Sequence, residues 1–262
     1  MFQTSVLFSG SRGNSILVRT KSTSILFDVG VSGKKIISQL KELSLQIDEI
    51  KAIVVSHEHT DHIKGVGVLL RKLKIPLYIS AKTYENSKKI IGNIPLEPIF
   101  FDVGQSFFVG DIKVQTFPSS HDAVDSCCFT VKTAKKSGRK LAIITDTGYI
   151  SKILLQYLKK TTCLIIESNH DEQLLFQGNY PWNVKQRIKS KHGHLSNSEA
   201  VAVIERISTE TNIKNIVLTH LSEENNNIKI AQKRVKKLIK LLNMNLNLFV
   251  ANQKKSTQLI NV

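Results

Sequence analysis

Cysteine is scarce in this chain of 262 residues, and the three present, Cys127, Cys128 and Cys163, are an odd set that excludes a disulfide-stapled scaffold. Neighbours on a strand point to opposite faces, so Cys127 and Cys128 are expected as reduced core thiols rather than a pair. Long apolar runs are missing as well, which excludes a bilayer-spanning helix. Where a signal peptide would carry its hydrophobic segment the sequence has polar Ser9–Asn14, so the expectation is a cytosolic protein with no membrane partner. There is no internal repeat, long linker or low-complexity block, and 41% hydrophobic residues suffice for a real core. One domain spanning 1–262 follows. Acidic residues are few: 21 against 37 Lys and Arg, a net charge of +16. The 30 Lys and 17 Asn are also what an AT-rich coding sequence produces, so a solvated surface and a nucleic-acid footprint stand side by side on charge alone.

What is present is a steady alternation of short strands and helices. Strands are expected at Gln3–Phe8, Ser15–Thr20, Thr23–Phe27, Ile50–Val55, Leu77–Ile79, Phe107–Val109, Ile112–Phe117, Cys127–Thr133, Lys140–Thr145, Cys163–Glu167, Asn215–Leu218 and a closing Asn247–Ala251. Helical periodicity falls on Lys34–Leu43, Val66–Lys74, Lys82–Ile91, Ser151–Lys159, Trp182–Lys189, Ser196–Thr209 and Ile228–Leu242. Lys135–Arg139 reads as a hairpin turn. Two sheets packed together with helices outside fit this order best.

The strongest chemical signal is Ser56-His57-Glu58-His59-Thr60-Asp61-His62-Ile63-Lys64-Gly65, directly after the buried strand at 50–55. Three imidazoles and a carboxylate leaving one strand end can converge on a small volume, where neutral His and ionised Asp suit zinc or manganese. Other candidate ligands follow other strands: His121 after Thr116–Ser120, Asp146 after Ala142–Thr145, and His220 after Ile216–Thr219. Strand ends are where sheets with flanking helices collect ligands.

This constellation, with Asp28 in Phe27-Asp28-Val29-Gly30, resembles the metallo-β-lactamase superfamily, whose fold is a four-layer αββα sandwich. The resemblance implies one metal on His57, His59 and His121, a second on Asp61, His62 and His220, Asp146 bridging both, and Asp28 orienting the loops without binding metal. A bridging aspartate is similar to the dinuclear hydrolases and nucleases of that superfamily. Only 74 positions separate Asp146 from His220, too few for the large inserted domain of the RNase J branch, and no Gly/Pro-rich arm of the RNase Z kind is present.

Three further segments look like the YycJ (WalJ) branch of bacterial exonucleases: Phe8–Ser15, Glu167-Ser168-Asn169-His170-Asp171 and Gly193-His194-Leu195-Ser196-Asn197. That likeness implies 5′-to-3′ cleavage of double-stranded DNA with two divalent ions, Zn²⁺ or Mn²⁺. Arg12 stands where the family usually has a second Ser, and adds a cation able to pair with phosphate. On this reading Asp61 and His194 are catalytic, as proton acceptor and acid for the leaving oxygen. Ser9, Ser11, Arg12, Asn14, Asn169, His170 and Ser196 are candidate substrate contacts; Ser196 with Glu199 also makes a capping box. The helix from Ile228 carries Lys229, Lys233, Arg234, Lys236, Lys237 and Lys240, a face that either touches DNA or is simply solvated. Two rivals remain: a small-molecule hydrolase (lactonase, thioesterase or glyoxalase II type) on the same metals, and a non-catalytic DNA-binding protein with structural zinc.

Overall fold

The computed structural model describes residues 1–135 and 138–262. Its first half runs β1 (Phe2–Phe8), β2 (Ser15–Thr20), β3 (Ser24–Phe27), α1 (Gly33–Glu42), β4 (Ile50–Val54), α2 (Thr60–Ile63), α3 (Val66–Leu73), β5 (Leu77–Ile79), α4 (Ala81–Ile91) and β6 (Ile99–Phe100). Then follow β7 (Ser106–Val109), β8 (Ile112–Pro118), β9 (Cys127–Thr133), β10 (Leu141–Ile144), α5 (Lys152–Leu158), β11 (Cys163–Glu167), α6 (Glu172–Gln177) and α7 (Trp182–Lys189). The chain ends with α8 (Asn197–Ser208), β12 (Asn215–Thr219), α9 (Ile228–Leu241), β13 (Asn247–Val250) and β14 (Ile260–Asn261).

The described residues form two seven-stranded sheets, ordered β14-β1-β2-β3-β4-β5-β6 and β7-β8-β9-β10-β11-β12-β13. Their strands are apolar on both faces, which demands cover on both sides. Ile25, Phe27, Ala52 and Val54 of one sheet meet Phe129, Val131, Ile143 and Ile165 of the other in a central core. The alternate residues Leu26 and Ile53 pack outward under Ile36 and Leu40 of α1 and Leu69 of α3. On the other side Ile144, Ile166 and Leu218 lie under Leu154, Ile204 and Val235 of α5, α8 and α9. Phe27 and Phe129 meet edge to face across the two sheets at 5.0 Å, and burying each contributes on the order of 2–3 kcal/mol. The αββα layering expected from sequence is the architecture found.

Cys127 faces the central core and Cys128 the outer one, as strand alternation requires. All three thiols are buried and free, and burial holds Cys128 and Cys163 up at about 12, so they stay protonated.

One expectation needs revision. Asn247–Ala251 does not close the chain: β14 follows and pairs antiparallel with β1, Gln3 opposite Asn261 and Thr4 opposite Ile260. The two halves, without any evident sequence repeat, share one plan. In each sheet three antiparallel pairings are followed by three parallel ones, with β3 and β10 at the change of sense. Each of those two strands runs into an Asp-x-Gly corner, Asp28-Val29-Gly30 and Asp146-Thr147-Gly148. The turn expected at Lys135–Arg139 includes Lys136 and Ser137, which lie outside the described residues. Among the described residues no helix is long and apolar enough to cross a membrane.

Candidate metal centre

The 57–62 segment divides its ligands by a change of backbone conformation. From β4 the chain continues extended to His59 (φ −61°, ψ 142°), so His57 and His59 share a side. It then makes the single helical turn α2, which sends Asp61 and His62 elsewhere. Gly30 lets that turn sit close: a Cβ there would lie on the Asp61 carbonyl, and Asn14 N–H donates to that same oxygen at 2.8 Å.

Three other strand ends carry Asp28, Asp146 and His220 in the left-handed region, with φ of 59°, 52° and 54°. For non-glycine residues this costs on the order of 1 kcal/mol each. Asp28 receives Ser56 N–H and Ser56 O–H, both at 2.8 Å, and His62 Nδ1 at 2.8 Å.

The imidazoles are held in a common way. Nδ1 of His57 faces Ser56 Oγ at 2.9 Å, that of His62 faces Asp28, that of His121 faces the Gly193 carbonyl at 3.1 Å, and that of His220 faces Glu167 Oε1 at 3.0 Å. With Nδ1–H donated to an oxygen, each ring keeps an Nε2 lone pair for the centre. His57 Nε2 and His220 Nε2 are buried with no hydrogen-bond partner among the described residues, and so is Asp146 Oδ2. His59 Nδ1 and His121 Nε2 face each other at 3.2 Å.

The donor atoms fall into groups, each within 4.8 Å: His57, His59 and His121, and next to it Asp61, His62 and His220. Asp146 stands between, Oδ2 3.2 Å from His62 Nε2 and Oδ1 3.4 Å from His220 Nε2 and 4.0 Å from His121 Nε2. A further group joins Asp146 and His220 to Glu167 and His194.

The electrostatics are those of a cation site. Burial disfavours protonation of His62 and His220, yet Asp146 with Asp28 and Asp61 raises the first well above its ordinary value, and Asp146 with Asp61 and Glu167 raises the second. Burial likewise opposes ionisation of Asp146 and Asp61, but the adjacent imidazoles hold both carboxyls low. Burial first, and neighbouring imidazoles with it, lower His57 and His121 toward the neutral form. Buried carboxylates drawing positive charge, beside inward lone pairs without partners, suit divalent metal.

Glu167 is the functional residue that sequence reasoning left without a task. Fully buried at the end of β11, it takes Nδ1 of His194 at 2.7 Å and of His220 at 3.0 Å on Oε1, and N–H of Thr147 and Leu195 on Oε2. Burial would raise its carboxyl, but His194 first and then His220 pull it down to about 2. The available signal was a carboxylate ending a wholly apolar strand.

The candidate substrate contacts divide. Ser9 Oγ accepts His220 N–H at 2.6 Å, the Asn14 amide lies 3.1 Å from Asp61 Oδ2 and 3.0 Å from His62 Nε2, and the Asn169 amide donates to the His220 carbonyl at 2.9 Å. Those three side chains are spent on the candidate ligands themselves. Ser11 is exposed, and Arg12, also exposed, pairs with Glu223 at 2.6 Å. Ser196 forms the capping box with Glu199, occupying the first donors of α8. His170 is buried beside it, its carbonyl accepting Asn197 N–H at 2.8 Å. The His194 ring lies over His220 at 5.0 Å, 28° from parallel.

Residues 23–221 match the model of the Beta-lactamase superfamily domain, and the chain belongs to that superfamily, as a metal hydrolase of the metallo-β-lactamase fold. Among its relatives is exodeoxyribonuclease YycJ of Bacillus anthracis, 42% identical over 237 residues that cover 90% of this chain and 88% of that one. Exodeoxyribonuclease WalJ of Streptococcus pneumoniae is 41% identical over 229 residues, 86% and 83% of the two chains. The metallo-β-lactamase fold protein YhfI of Bacillus subtilis superposes with a TM-score of 0.75 over 98% of this chain and 100% of its own, at 17% identity, a likeness of fold.

Proposed function

We propose that this chain is a two-metal phosphodiesterase degrading nucleic acid, a 5′-to-3′ exonuclease on double-stranded DNA. One observation carries the reading: two ligand triads, which share the 57–62 segment and are completed by His121 and His220, meet on either side of Asp146, in a chain more than two-fifths identical to an exodeoxyribonuclease over most of its length. His57, His59 and His121 would hold one divalent ion, Asp61, His62 and His220 the other, with Asp146 reaching both; zinc and manganese both suit this donor set. Bound there, such a pair supplies an ionised water near neutral pH and neutralises phosphoryl oxygens.

The protein's own groups do the remaining work. Asp61, more accessible than Asp146, orients the nucleophile and takes its proton, and Asn14 holds it in place. His194, tethered to Glu167 through Nδ1, has Nε2 left to protonate the departing sugar oxygen, which is a poor leaving group as an alkoxide. The exposed Lys229, Lys233, Lys236, Lys237 and Lys240 of α9 add to a positive field that holds phosphates without reading bases. A thioesterase or lactonase has no use for the charge of +16.

The test is digestion of duplex DNA and RNA labelled at either the 5′ or the 3′ end by zinc- or manganese-reconstituted protein, over a range of salt. Early release of the 5′ label, confined to DNA and falling steeply with salt, is expected. Hydrolysis of a chromogenic ester or lactone with both nucleic acids intact would replace this reading with the small-molecule one.

A further inference from the structure

Beyond the metal centre lies a hollow of about 410 Å³ between α6 and α7, with Leu175, Phe176 and Trp182 among its walls and His170 at its base. Phe176 and Trp182 are 70% and 61% exposed, an unusual placement for the two largest apolar groups of their helices, and their rings meet edge to face at 6.4 Å. The rim is basic: Lys185 and Lys189 line it, Lys185 Nζ donating to the Phe176 carbonyl at 2.8 Å. Its one acid among the described residues, Glu172, lies 3.5 Å from Arg234, which pairs more closely with Asp171 at 2.7 Å. The His170 side chain is buried, and its Nδ1 has no hydrogen-bond partner among the described residues.

The hollow adjoins the metal centre through the chain at two points. His170 follows Asn169, which holds His220, and α7 leads through Ser190 into the loop that presents His194. An apolar hollow with two exposed aromatic rings and a cationic rim matches a nucleobase on a phosphate chain: π-faces stack on aromatics whatever the base, and lysines take the adjoining phosphates. Resting on the nuclease reading above, we propose that this hollow seats a base of the bound nucleic-acid strand, stacked on the face of one of Phe176 and Trp182 with the edge of the other beside it.

Trp182 is the chain's single tryptophan, so its fluorescence reports on this place alone. The protein, held in chelator so that nothing is cut, is titrated with a 5′-phosphorylated single-stranded oligonucleotide and with an abasic oligonucleotide of equal length and charge. The expected result is saturable quenching by the first, about tenfold weaker binding of the second, and a loss of about fivefold or more in affinity for the intact strand in the exposed-site variant Phe176→Ala. Equal binding of both oligonucleotides, or binding without quenching, overturns the proposal. So does an emission shift that follows protein concentration with dimers in sedimentation, which would mean that a second copy covers the patch. Duplex digestion by metal-loaded protein that gives no such quenching removes the base site and leaves the nuclease reading intact; failure of digestion itself removes the reading beneath it.

Discussion

Glu167→Gln is the sharpest perturbation of the centre, because the amide cannot satisfy both sides of its site. Oε1 accepts from two imidazoles and Oε2 from two backbone N–H groups. If the new NH₂ faces the imidazoles, His220 must turn its Nδ1 lone pair inward and carry its proton on Nε2, where a ligand lone pair is needed. If it faces Thr147 and Leu195 instead, buried donors oppose buried donors, at about 1–3 kcal/mol for each unsatisfied group. The carboxylate is also the charge that His194 and His220 hold down from 4.5 to about 2. Its stabilising effect is therefore complete above the unfolded value of 4.5, is lost as pH falls through about 2, and is on the order of 3 kcal/mol. Metal-free Glu167→Gln should unfold with about 2–4 kcal/mol less stability near neutral pH in denaturant titrations. Competition with a chromophoric chelator should show one of two metal equivalents weakened about 10–100-fold. Unchanged stability together with two tightly held equivalents would refute this account of Glu167.

Asp146→Asn removes the carboxylate between the triads and should reduce turnover below detection and lower bound metal, checked by elemental analysis beside the nuclease assay; full activity would refute the ligand assignment. His194→Ala should keep both metals and lose about 100-fold or more in rate on DNA, with a much smaller loss on bis-p-nitrophenyl phosphate, whose leaving group needs no proton; equal losses would remove it as the acid. Lys140, pushed down to about 8 by burial and then by Lys132, donates to the carbonyls of Tyr157 and Lys159. Between about 8 and 10.5 the unfolded chain binds the proton that the folded one has released, so stability attributable to this group rises with pH there. Wild type should gain about 1–2 kcal/mol relative to Lys140→Met between about pH 7 and 10, after allowance for partial solvent screening.

The fold was legible because strands buried on both faces write themselves as short apolar runs, and Leu77–Ile79, Cys127–Thr133 and Trp182–Lys189 fall where the pattern put them. Two-residue β6 and β14 carry no periodicity of their own and exist only through their partners. Helix α6 was legible in principle from Asp171, which caps the N–H groups of Gln173 and Leu174, but it is short and opens with a charge. In the centre, residue types drew the eye to His and Asp, whereas Glu167, Ser9, Asn14 and Asn169 act by distance alone, which no linear spacing encodes.

His57, His59, Asp61 and His62 come from loops of the first sheet, while His121, Asp146 and His220 come from the second, and the central core sets the gap between them. Cations held across that seam would rivet one half of the sandwich to the other. Metal affinity is then a gauge of how the halves dock: shaving Phe129, remote in sequence from most of the ligands, should loosen the ions, and chelation should soften the seam in hydrogen exchange before either sheet's own ladder opens.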